Sequence, residues 1–171
     1  MFESDYTLIG KHATYTKRLN EAGVFARYID VYMNAAILGF LYGRKAERDH
    51  TSNDRGRIYA DAFIRERTCC IFIFQLIMLL EQTTGYSEEE RVDRVFREMY
   101  SNEDVEAKNL ELFHQYVRGG IEYLHEFFED CSATHDYVSR MYDLVSDFKE
   151  ELDGISYSER LEEVIGEYVV G

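Results

Sequence analysis

CCIFIFQLIMLL, residues 69–80, is the stretch on which the fold turns. Its CIFIF portion is β-branched and aromatic and suits a buried strand. The helix formers of LIMLLEQ follow without a break and favour a helix. A membrane span needs about 20 apolar residues, and this run stops at Leu80. The stretch therefore reads as the second half of a core helix running from about Ile58 to Gln82. With that choice the whole chain becomes helical. The expected fold is all-α: a single domain, residues 1–171, built as an irregular bundle of six or seven helices with a buried central helix near residues 58–82.

Composition agrees with a packed helical core. Hydrophobic residues make up 46% of the 171 positions, which excludes a disordered chain and suffices for one real core. Proline is absent, so nothing in the sequence forbids long helices. A first helix is expected over Gly10–Ala22. A second, over residues 24–48, follows from Val24, Tyr28, Val31, Ala35, Leu38 and Tyr42 recurring at three- and four-residue steps. Arg44, Lys45 and Arg48 suit the negative end of its dipole. DHTSNDRGR (Asp49–Arg57) has loop composition. Ser87 with Glu90 forms a capping-box pattern opening a helix to about Tyr100, and SNED (Ser101–Asp104) opens another to about Asp130. Residues 133–152 carry the stripe Val138, Met141, Val145, Phe148 and Leu152. A last short helix from Ser158 carries Leu161, Val164, Ile165 and Tyr168.

ELFHQYVRGGIEYLH (residues 111–125) holds Glu-x-x-His twice, the ligand spacing of carboxylate-bridged di-metal bundles. Glu111, His114, Glu122 and His125 are thus candidate metal ligands. The copies lie 11 residues apart, about 16 Å along one helix, too far for one di-metal centre within a chain. A turn at Gly119–Gly120 would set them face to face. Against it, Leu110, Phe113, Val117, Ile121, Leu124 and Phe128 keep helical step through both glycines. One unbroken helix is expected, with the histidines at the edge of its apolar stripe. A metal would then be shared across an oligomer interface, and no cofactor is otherwise implied.

His135–Asp136 resembles the His-Asp step of the HD metal-dependent phosphohydrolases, which are all-helical. The resemblance covers two adjacent residues and implies His114 as the upstream ligand and Asp143 or Asp147 as the downstream one. CSAT stands where that family has an apolar lead-in. Cys131 and His135, four residues apart, would touch on a shared helix as a thiolate–imidazole pair, with no third group to orient them. Cys69 and Cys70 read as buried packing residues. Three cysteines without disulfide or CxxC spacing, and no signal-peptide pattern, point to a reducing cytoplasm.

The formal charge of −14 is uneven. Residues 1–67 carry 11 Lys/Arg and 9 Asp/Glu, whereas residues 68–171 carry 8 and 24. Lys11, Lys17, Arg18, Arg44, Lys45, Arg48, Arg55 and Arg57 are candidates for a phosphate-contacting patch. Alternatively they pair with the five acids interleaved among residues 44–67 or with the acidic C-terminal half. Fourteen tyrosines, wherever they gather in the open, would mark a protein-contacting surface. Three functions follow as expectations. The first is a non-catalytic helical assembly protein, an accessory subunit pairing with itself or a protein partner. The second is a nucleic-acid-linked accessory factor, contacting phosphates through the basic patch or mimicking DNA through the acidic half. The third is a metal-dependent helical enzyme.

Overall fold

A computed structural model of the chain describes residues 1–98 and 101–154. Those residues form seven helices and one two-stranded sheet, a helical bundle as expected. The chain divides into two compact units, Met1–Asp130 and Cys131–Gly171.

In the first unit, strand β1 (Tyr6–Ile9) pairs antiparallel with β2 (Arg55–Ile58), Tyr6 opposite Ile58 and Ile9 opposite Arg55. Six helices accompany them: α1 (Lys11–Glu21), α2 (Tyr28–Leu41), α3 (Ala60–Arg65), α4 (Arg67–Leu80), α5 (Glu88–Phe96) and α6 (Glu103–Phe127). The heart of the unit is α2 against α6, where Val31, Ala35 and Ala36 are buried alongside Phe113, Val117, Ile121 and Leu124. Glycine permits the approach. A Cβ at Gly39 would strike the Tyr116 carbonyl, and one at Gly120 the Ala35 carbonyl. The predicted unbroken helix through Gly119–Gly120 is present, its two glycines serving contact rather than a turn.

The ends of α5 and α6 follow the sequence signals. Ser87 and Glu90 form the expected reciprocal capping box. The Asn102 side chain accepts from the amides of Asp104 and Val105, with acidic residues in the first turn where the dipole favours them.

Three expectations need correction. The second helix ends at Leu41 rather than near residue 48, because Gly43 at φ +62° turns the chain out. Residues 44–50 then carry no regular secondary structure: the Arg44 amide still closes α2 on Gly39 O, whereas Lys45 and Arg48 lie beyond the helix end. Ala46 N donates to Gln115 O across α6, and a Cβ at Gly119 would strike the Arg44 carbonyl.

The expected helix over 58–82 is divided into the end of β2, α3 and α4, with Glu66 at the break. Cys70, Ile73, Phe74, Ile77 and Met78 are buried, and Phe74 packs edge-on against Phe2 and Phe113. The outer face of α4 is exposed, however: Phe72 at 64%, Leu76 at 44% and Leu80 at 52%. Helices approach most closely where facing residues are smallest, and those positions lie on α2 and α6 rather than on the bulky α4.

The loop predicted over Asp49–Arg57 closes on strand β2. Its alternation is only four residues long, with Arg55 and Arg57 outward and Gly56 and Ile58 inward.

In the second unit, α7 (Thr134–Gly154) matches the expected sixth helix. Asp136 accepts from the backbone amides of Ser132 and Ala133 at its start. Val138, Tyr142, Val145 and Phe148 are exposed along it. The short helix expected from Ser158 lies outside the described residues.

Candidate functional site: a cationic cavity behind the sheet

Gly10 sets the geometry. At φ +61° it turns β1 directly into α1, and a Cβ there would collide with Asp49. Its amide donates to Asp54 O, while the Lys11 amide donates to Asp49 Oδ2. The Lys11 amide, together with the Thr51 hydroxyl and amide, holds the Asp49 carboxyl down at about 2. The sharp turn points His12, the second residue of α1, into the protein.

There it meets α6. Between β1, the start of α1 and the middle of α6 lies a cavity of about 160 Å³, lined by Tyr6, Thr7, Leu8, Ile9, His12, Arg48, Arg55 and Arg118. Arg118 is 2% exposed and His12 wholly buried. Arg118 Nε donates to Ala46 O at 2.8 Å, and Nη2 to Glu111 Oε1 at 2.6 Å. His12 Nε2 lies 2.8 Å from Glu122 Oε1. The remaining polar atoms, Arg118 Nη1 and His12 Nδ1, are buried without a hydrogen-bond partner.

Two carboxylates frame the cations. Burial pushes Glu111 up, but Arg118 and Arg48 hold it below its ordinary range. Burial likewise pushes Glu122 up, and Lys11 and His12 outweigh it. His12 itself is held down by burial in spite of Glu122, so it is neutral at pH 7. The Tyr6 phenol is pushed up by burial and pulled back by the neighbouring Arg118.

Each of the Glu-x-x-His residues has a neighbour. His114 is within 3.1 Å of the Tyr32 hydroxyl and stacks on Tyr6. His125 stacks on Tyr15 at 3.7 Å. Glu111 binds Arg48 and Arg118, and Glu122 binds Lys11 and His12. Among the described residues no group of three or more His, Cys, Asp and Glu is placed to hold a metal ion. In the second unit, exposed His135 lies 3.0 Å from Asp136, whose other oxygen caps α7.

The basic candidates are brought together only in part. Arg48 and Arg55 reach the cavity, and Lys11 stands beside it on Glu122. Elsewhere Lys17 pairs with Asp54, Arg44 with Glu126, Lys45 with Glu81, and Arg57 with Asp5. Arg18 lies exposed on α1. Cys70 is buried, its thiol pushed up to about 12, whereas Cys69 is exposed, contrary to its reading as core.

Over residues 11–159 the chain matches the family model described as DNA sulphur modification system-associated protein 4. The chain belongs to that family. No curated protein and no solved structure matches it. Every residue lining the cavity from His12 onward lies within the span shared with the family, while the lining residues of β1 precede it. Among the described residues no helix is long and apolar enough to cross a membrane.

Sequence reasoning did not single out His12 or Arg118. A signal for Arg118 was present in the segment already quoted. Glu111, His114, Arg118, Glu122 and His125 recur at three-, four-, four- and three-residue steps, so one helix face carries them all. Arg118 occupies the midpoint of that polar row. His12 carried no comparable signal, since its burial depends on the Gly10 turn.

Proposed function

We propose that this protein is a non-catalytic accessory subunit of a DNA sulphur-modification system, docking on a protein of that system through the outer face of α4 and α5. The observation that carries this reading is the exposed row Phe72, Leu76 and Leu80 on α4, with Val92 and Phe96 also exposed on α5, which packs against α4. Exposed apolar side chains at one helical step are characteristic of interaction surfaces rather than of a free helix. Membership in a family named for association with DNA sulphur modification supports a partner from such a system.

The test is association of the purified protein with individually purified proteins of a DNA sulphur-modification system, followed by light scattering. A stoichiometric complex is expected with at least one of them. Replacing both Phe72 and Leu76 with Ser should abolish it while leaving the circular dichroism unchanged, since both side chains are exposed. A complex that tolerates this pair of changes would remove the α4 face from consideration. Absence of any complex would remove the accessory reading itself.

A further inference from the structure

The cavity behind the sheet is chemically out of character with the rest of the molecule. In a chain of net charge −14, its lining contains three arginines and no carboxylate. At about 160 Å³ it is many times larger than a single water requires. Arg55 stands at its exposed side, with no carboxylate partner among the described residues. Arg118 is fixed from two directions, by Ala46 O and Glu111, so its third nitrogen is held in place rather than free to seek a partner. A buried guanidinium donor left unpaired is costly, and an anionic oxygen is the acceptor that satisfies it best.

His12 narrows the anion further. A carboxylate only accepts hydrogen bonds, so beside Glu122 the neutral imidazole carries its proton on Nε2. Nδ1 then presents a lone pair. The fitting ligand has acceptor oxygens for the arginines and one hydroxyl to donate to His12. Hydrogen phosphate and a singly protonated phosphomonoester have both. Sulfate and a phosphodiester at neutral pH have no such hydroxyl.

We propose that this cavity binds a phosphate group bearing a free hydroxyl, with Arg118 Nη1 and Arg55 donating to its oxygens and His12 Nδ1 accepting from its P–OH. Arg48, tied to Glu111 at 3.1 Å, adds positive charge at the rim. The site stands on its own residues and is independent of the α4–α5 docking face. Three sources offer the same chemistry: inorganic phosphate, a mononucleotide, and the 5′-phosphate at a DNA end.

Calorimetry on the full chain, titrated separately with inorganic phosphate, sulfate, a deoxynucleoside monophosphate and a short duplex with or without a 5′-phosphate, tests the assignment. Saturable one-to-one binding is expected for at least one phosphate-bearing probe, with sulfate and the unphosphorylated duplex about tenfold weaker or more. The tightest probe identifies the source. Arg55→Ala, at an exposed position that leaves the fold intact, should weaken binding about fivefold or more. Arg118→Lys should weaken it further, with circular dichroism confirming that the variant is folded. No binding of any phosphate probe would overturn the proposal. So would sulfate binding as tightly as phosphate, or binding indifferent to Arg55→Ala.

Discussion

His114 illustrates how a single side chain links the sequence motif to stability. Burial pushes its imidazole down to about 3, against an ordinary value near 6.5. Between those two values the unfolded chain binds a proton that the folded chain does not. Stability therefore falls as pH drops through that window and is unaffected above it. His12 and His125, also held down by burial, act in the same direction. His114→Gln can still bond the Tyr32 hydroxyl but cannot titrate. Its melting temperature should fall less than that of the wild type between pH 7 and pH 4, by roughly 5 °C. Equal losses in the two proteins would show that the acid sensitivity resides elsewhere. The Glu-x-x-His spacing was legible as a helical face in the sequence. That this face is threaded by Arg118 and met by Tyr6, Tyr15 and His12 from 100 or so residues away was not, because no local pattern encodes a partner so distant.

At the scale of elements, the glycines of α6 decide the packing. In an isolated helix Gly→Ala is favourable by about 1 kcal/mol. At Gly120 the new Cβ meets the Ala35 carbonyl of α2, a backbone atom that cannot move aside cheaply. The steric term wins, and Gly120→Ala should destabilise the protein by about 2 kcal/mol net, read as a lower denaturant midpoint with unchanged slope. A stabilised variant would mean that α2 and α6 are further apart than they stand here. Helix α6 could be read from its sequence because its apolar step is long and its N-cap explicit. The helices over 24–48 and 58–82 were overextended for an equally physical reason. Cations after Leu41 look like a dipole-complementing end whether or not the helix continues, and an apolar run records burial without saying on how many sides. Strand β2 was hidden because four residues are too few to establish a two-residue period.

For the whole molecule, the exposed row on α4 and the cationic cavity are separate surfaces with separate chemistries, one apolar and one anion-seeking. The uneven charge of the sequence is resolved in the same way. Most cations of residues 1–67 are matched by carboxylates, several from α6, so among the described residues the cations of that stretch left without a carboxylate are the single exposed side chains Arg18 and Arg55 rather than a patch. The segment that carries Arg44, Lys45 and Arg48 has a further property. It belongs to no helix or strand, yet Ala46 donates its amide to Gln115 and accepts from Arg118 with its carbonyl. Backbone pinned from both sides behaves in solution like core and not like loop. In deuterium oxide the Ala46 amide should exchange on the timescale of α6 rather than within seconds, and trypsin should leave Arg44, Lys45 and Arg48 uncut in the native protein. Rapid cleavage there would show a strap that lifts, and with it the ceiling over Arg118 would open.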